Sequence, residues 1–154
     1  MKIEGTYKIA APRERVFAAL TDPLILQKCI PGCEQMEKTG ENQYHAKLTA
    51  GVGPVKGVFS ATVSLRDIVS PQHYKLVVEG KGQPGFAKGS GELNLSDDAG
   101  ATSIAYTGDV NVGGLLASVG QRMIQATGNM LAGKFFKALE AETAASNPLS
   151  STGT

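Results

Sequence analysis

Gly51-Val52-Gly53-Pro54-Val55-Lys56-Gly57 has the glycine content of a phosphate-binding loop, and a second glycine cluster runs from Gly80 to Gly91. A phosphate loop needs a helix directly after it, because free N–H groups at the helix N-terminus hold the anion. Here Val58-Phe59-Ser60-Ala61-Thr62-Val63-Ser64-Leu65 follows, and its period of two is that of a strand. The phosphate reading fails on this context. Two Gly-Pro segments at strand junctions suit a gate over a cavity instead. Gly51, Gly53, Pro54, Lys56 and Gly57 form one gate loop; Pro84, Gly85 and Lys88 belong to the other. Lys56 and Lys88 either meet an anionic partner at the pocket mouth or are solvated loop lysines.

The remaining reactive side chains form no constellation. Cys29 and Cys33 flank Pro31-Gly32, which breaks the helix that would place them on one face. With only His45 and His73 as imidazoles, a four-ligand zinc site cannot be assembled, so no metal is expected. Structural burial or turn packing is the favoured role of both thiols over ligation or redox work. His45 falls on the polar side of its strand and His73 in a turn. Glu79, Glu92 and Asp109 take outward strand positions, so paired-carboxylate chemistry has no convergent site. Ser, His and Asp occur without a nucleophile-elbow motif. No catalytic residue is assigned.

These groups must be placed by a chain of 154 residues with a formal net charge of +1. That length fits one domain with a real core. The charge offers no general attraction to nucleic acid. No apolar run is long enough to span a membrane, and the first residues carry no secretory signal. Two cysteines are too few for a disulfide framework, which fits a cytoplasmic setting. The polar segment 144–154 is expected to be a disordered tail, after a single domain over residues 1–143.

Ile3, Gly5, Tyr7 and Ile9 alternate with polar residues as a half-buried strand does. Pro12 starts a helix with Val16, Phe17 and Leu20 on its apolar stripe. Asp22-Pro23 starts a second, carrying Leu24 to Ile30 until Pro31-Gly32 stops it. Six further alternating segments follow, with turns at Thr39–Asn42, at the two glycine clusters, at Val69–Gln72 and at Asp97–Gly100. From Gly113-Gly114 the period becomes helical: Leu116, Val119, Met123, Ile124, Met130, Leu131, Phe135 and Leu139 recur at steps of three and four. The pattern predicts one helix from 113 to about 143, about 45 Å long at 1.5 Å per residue. Gly120, Gly128 and Gly133 inside it need a reason, either close packing or room for a ligand.

This order gives an α+β fold in which an antiparallel curved sheet of about seven strands wraps a long C-terminal helix. Ala87, Gly89, Gly91 and Gly108 on the presumed inner face remove side-chain volume and argue for a cavity under the sheet, although a strongly bent strand would use glycine in the same way. The expected lining is Phe17, Leu26, Tyr44, Leu48, Phe59, Val63, Leu76, Val78, Phe86, Gly89, Gly91, Tyr106, Leu116, Val119, Met123, Thr127 and Met130. Core packing explains many of these positions equally well. The only inward titratable groups on this pattern are the hydroxyls of Tyr44, Tyr74 and Tyr106.

The order of elements resembles the START-like, or polyketide cyclase-like (SRPBCC), helix-grip superfamily. Local motifs narrow it: Asp22-Pro23, then Cys29-Ile30-Pro31-Gly32-Cys33-Glu34, Gly51 to Gly57, Gly85-Phe86-Ala87-Lys88-Gly89, and Asp109-Val110-Asn111-Val112-Gly113-Gly114. Together they resemble, over residues 1–143, the CoxG family, named for the G component of carbon monoxide dehydrogenase. The resemblance implies a non-enzymatic accessory protein of a molybdenum hydroxylase. It implies a pocket for an apolar small molecule such as a quinone, with no covalently bound cofactor. It also implies peripheral membrane contact. Longer members carry an apolar C-terminal segment where this chain has a polar tail, so no transmembrane anchor is expected. In the related abscisic-acid receptors two strand-joining loops act as gate and latch, and by strand order residues 51–57 and 81–88 correspond to them. The alternatives are a small cyclase, hydratase or lyase of the same fold, and a protein-interaction domain whose cavity is filled.

Overall fold

A computed structural model describes residues 1–145; of the tail expected over 144–154, residues 144 and 145 instead continue the last helix, and the rest lies outside the described residues. The elements are β1 (Lys2–Ile9), α1 (Arg13–Leu20), α2 (Pro23–Cys29), β2 (Cys33–Gly40), β3 (Gln43–Val52), β4 (Val55–Val69), β5 (His73–Gly82), β6 (Gly85–Asp98), β7 (Ala101–Gly113), a 3-10 segment (Gly114–Val119) and α3 (Gln121–Ala145). The seven strands form one antiparallel sheet in the order β1-β7-β6-β5-β4-β3-β2. From β2 to β7 each strand pairs with the next in sequence. Short turns make this arrangement possible, since antiparallel neighbours need only a hairpin. At Ala99-Gly100 both central residues have positive φ, 53° and 90°, the geometry that matches the twist of the flanking strands.

β1 and β2 lie at opposite edges of the sheet, so α1 and α2 carry the chain from one edge to the other. Asp22 caps α2 by accepting a 2.9 Å hydrogen bond from the Leu24 N–H. α1 buries Val16, Phe17, Ala19 and Leu20. The core joins these to Ile9, Leu95 and Ile104 of the sheet and to Phe136 and Leu139 of α3. Phe136 stacks on two rings of the sheet, Tyr106 at 4.7 Å and Tyr7 at 5.7 Å between centroids. Thr102, fully buried, donates 2.7 Å to the carbonyl of Ala11 and so fastens β7 to the approach to α1.

The predicted continuous helix is corrected by one residue. Gly120 has φ 92° and ψ 154°, a conformation open only to glycine at low cost. The chain therefore runs first through the 3-10 segment and restarts as α3. Two of the three glycines expected inside the helix have a structural reason, and nothing in the structure explains the third. Gly120 is the break. Gly128 admits Ile3, whose Cδ1 would lie 2.6 Å from a Cβ at that position. Gly133 faces open space.

Candidate functional site

Between the sheet and α3 lies a cavity of about 380 Å³, within the range of small-molecule pockets. β3 and β4 supply Leu48, Ala50, Gly51, Val52, Phe59 and Ala61; β5 and β6 supply Val78, Gly80, Ala87, Lys88 and Gly89. Val110 and Val112 of β7 and Met1 and Ile3 complete the sheet side. Leu116, Ile124, Thr127, Gly128 and Leu131 close it from the helical side. Of these residues only Lys88 and Thr127 have polar side chains, and that of Lys88, exposed on the strand face of Phe86, points away from the cavity. The Met1 amino group, also at the border, is spent on Asp109 Oδ1 (2.9 Å) and the Val110 carbonyl (3.1 Å). That ion pair holds the Asp109 carboxyl below the usual carboxylate range.

A second apolar cavity of about 320 Å³ continues towards α1 and α2. It is lined by Leu20, Leu26, Ile30, Met36, Tyr44, Ala46, Val63, Leu65, Tyr74, Leu76, Leu93, Phe135 and Phe136. Leu48, Ala61 and Val78 border both cavities. The two tyrosines of this inner cavity are already engaged. Tyr44 donates 2.7 Å to the Thr21 carbonyl, and Tyr74 donates 3.5 Å to the Leu20 carbonyl. Burial pushes both phenols above their ordinary pKa.

Of the residues expected to line a pocket, Leu48, Phe59, Val78, Gly89, Leu116 and Thr127 border the outer cavity. Leu26, Tyr44, Val63 and Leu76 border the inner one, with Leu48 and Val78 shared. Six others have different positions. Phe17 is packed edge-on against Tyr74, with centroids 5.7 Å apart. Tyr106 stacks on Phe136 and lies under Gly5. Phe86, 43% exposed, lies across Gly113, its cross-strand partner. Met123 and Met130 are 42% and 49% exposed. Val119 is half-buried at the end of the 3-10 segment, outside both linings. Gly91 also differs: a Cβ there would stand 3.1 Å from the Thr107 carbonyl oxygen. Its partner Gly108 is similarly close to the Ser90 carbonyl, at 3.3 Å. The bent-strand reading therefore accounts for this pair, because tightly coiled neighbouring strands leave no room for side chains.

Several lining residues were missed although their signal was present. Ala61 and Gly80 share strand faces with Phe59 and Val78, and alternation alone selects them. The same rule places Phe86 opposite to Ala87 and Gly89. On α3 the buried face runs through Ile124, Thr127, Leu131, Phe135 and Leu139, and Met123 and Met130 sit one position away from it. One residue is about 100° of helical rotation.

The expected gate loops are tight hairpins. Only Gly53-Pro54 separates β3 from β4, and only Gln83-Pro84 separates β5 from β6. Gly51, Lys56, Gly57, Gly85 and Lys88 belong to the strands themselves. Both tips lie at the end of the sheet where β7 leads into the helical segment. Each touches that segment: Gly53 packs on the Met123 thioether, and the Pro84 carbonyl accepts 2.9 Å from the Leu116 N–H. Gly57 of β4 packs against the Pro84 ring, so the Gln83-Pro84 tip also meets the neighbouring hairpin. Gly51, Val52, Ala87 and Lys88 border the outer cavity.

Cys29 is buried at 2% exposure, and Cys33 is half-buried; both are free thiols. Burial, reinforced by Glu142, pushes the Cys29 thiol up to about 11. His73, the first residue of β5, meets Asn94 Oδ1 at 2.9 Å and Glu92 at 3.6 Å. Among the described residues no group of three or more His, Cys, Asp or Glu side chains could hold a metal ion. No helix among them is long and apolar enough to cross a membrane.

Comparison with known proteins places this geometry. A conserved protein from Geobacillus kaustophilus is 39% identical, with a TM-score of 0.90 over 95% of this chain and 97% of that one. The aromatase/cyclase ZhuI from Streptomyces sp. R1128 has a TM-score of 0.71 at 20% identity, over 93% of each chain. A START superfamily protein from Mycobacterium smegmatis has the same TM-score at 14% identity, over 95% of this chain and 99% of that one. The last two share the fold, which is START-like helix-grip. No curated protein matches the sequence. The model of the carbon monoxide dehydrogenase CoxG family matches residues 5–144, and with nearly the whole chain covered, the protein belongs to that family.

Proposed function

We propose that this chain is a non-enzymatic accessory protein that holds an apolar small molecule between its sheet and α3 and serves a molybdenum hydroxylase of the carbon monoxide dehydrogenase kind. The outer cavity carries the reading: twenty residues border it, and only Lys88 and Thr127 among them have polar side chains. Ligand affinity in such a site comes from burial, about 25 cal/mol per Å² of apolar surface removed from water. General acid–base work needs a group that exchanges a proton near neutral pH. The phenols of the inner cavity donate to backbone carbonyls, and burial moves them further from that range. A quinone fits the chemistry, being flat and apolar with acceptors that one donor, the Thr127 hydroxyl, can meet. The family supports the accessory role and the hydroxylase partner.

The test is native mass spectrometry of the protein as purified, followed by solvent extraction and identification of the released molecule. An apolar small molecule bound one to one is expected. The Gly80→Leu variant should lose it, since a Cβ at Gly80 meets nothing closer than Ala61 Cβ at 3.7 Å and the added side chain extends into the cavity wall. Reproducible turnover of an aromatic polyketide-like or small carbonyl substrate, abolished by changing one lining residue, would replace this reading by the cyclase one.

A further inference from the structure

The two apolar cavities abut, and three residues of adjacent strands form the shared wall. Leu48, Ala61 and Val78 stand on β3, β4 and β5. The smallest of them, Ala61, is the middle one and is almost fully buried. On this basis, and resting on the pocket reading above, we propose that the two cavities are successive compartments of one site for an elongated ligand. Its head stays in the outer compartment and an apolar chain passes Ala61 into the inner one.

The orientation follows from where polar partners remain. In the inner compartment both hydroxyls are committed to the Thr21 and Leu20 carbonyls. A polar head placed there would lose its water without gaining a partner, which costs on the order of several kcal/mol. An alkyl or isoprenoid chain has nothing to lose there and gains contact with Leu26, Phe135 and their neighbours. The outer compartment keeps the Thr127 hydroxyl. The ligand class is therefore a molecule with one modest polar head and a single apolar chain too long for the outer compartment alone. Ala61 is the residue that admits the chain, and the inner compartment sets its useful length.

Calorimetric titration with saturated fatty acids from octanoate to palmitate, each below its micelle concentration, tests this. Each methylene that enters an apolar compartment should raise affinity about fourfold, from about 0.8 kcal/mol per buried methylene. The gain should continue through the series in the unmodified protein. In Ala61→Leu it should stop at a shorter chain, while octanoate binding is kept. Ala46→Leu, which fills the inner compartment without touching the outer lining, should stop it likewise. Both variants should keep a cooperative thermal transition; if Ala61→Leu fails to fold, Ala46→Leu carries the test. Should octanoate bind but affinity cease to rise with length in the unmodified protein, the two-compartment inference is wrong and the pocket reading stands. A gain per methylene unchanged in the folded variants would also overturn it. If no member of the series binds and no apolar molecule is extracted from the purified protein, the pocket reading fails together with the inference.

Discussion

At the scale of single residues, glycine does two kinds of work in β5 and β6, and substitution separates them. Gly80→Leu should leave the unfolding midpoint within about 1 kcal/mol of the parent, because its notional Cβ makes ordinary contacts, while abolishing ligand binding. Gly91→Leu should instead weaken the fold by about 1–3 kcal/mol, since the side chain would press on the Thr107 carbonyl. Denaturant titration of the two variants side by side checks the contrast. The thiols give a pH prediction. A thiol whose folded pKa is raised keeps its proton where the unfolded chain has lost it. Its contribution is therefore complete below the unfolded value near 9 and is lost as pH rises through about 11. Stability should fall over that window, and less steeply in Cys29→Val. Denaturant midpoints measured across the window decide it. Burial also raises the Cys33 thiol, but this side chain is half-exposed, so alkylation followed by peptide mapping should label Cys33 before Cys29.

At the scale of elements, the break at Gly120 and the paired hairpin tips form one assembly. Gly120→Ala would meet no neighbouring atom, yet it should cost about 1–3 kcal/mol, because φ near +92° is strained for any residue with a Cβ. If the variant proves as stable as the parent, the chain can pass from the 3-10 segment into α3 by another backbone path. The tips at Gly53-Pro54 and Gln83-Pro84 are too short to swing as loops independently of their strands. Any opening must move the hairpin ends away from Met123 and Leu116. Hydrogen exchange should therefore report on the Leu116 amide, bonded to Pro84. Its protection should rise when an apolar ligand is bound. Protection unchanged on ligand binding would remove the tips from the entry route.

For the whole molecule, the sheet, α1, α2 and α3 enclose two apolar spaces beside a conventional core. Packing is tight where β7 meets the C-terminal half of α3: Leu139 and Ile104 have no exposed surface, and truncating Leu139 to alanine should cost about 2–5 kcal/mol. The outer cavity lies towards the hairpin tips, where Phe86, Leu115 and Met123 are exposed around the strand ends. A ligand that fills this space adds stability by mass action, about 2.7 kcal/mol at a hundredfold excess over its dissociation constant. The extracted protein should therefore melt at a lower temperature than the protein as purified.

Local pattern in the chain is enough to specify the strands, their faces and the turns between them. Alternation at Ile3–Ile9, Phe59–Leu65 and Ile104–Val112, and the change of period after Gly113, are local properties that survive without tertiary context. It also carried the ordered motifs by which the family is recognised. What it left open was which apolar positions border empty space and which are packed. Tyr106 and Phe17 are as apolar and inward as Phe59, yet only Phe59 reaches the cavity, because Phe136 and Tyr74 fill the space beside the other two. The glycines of β6 show the same limit: Gly89 and Gly91 both lie close to carbonyls of the next strand, at 3.3 and 3.1 Å from a Cβ, yet only Gly89 borders the cavity. Those outcomes depend on how strongly the sheet coils and on where α3 lies across it. Both are set by contacts between residues far apart in the chain, so no local pattern encodes them.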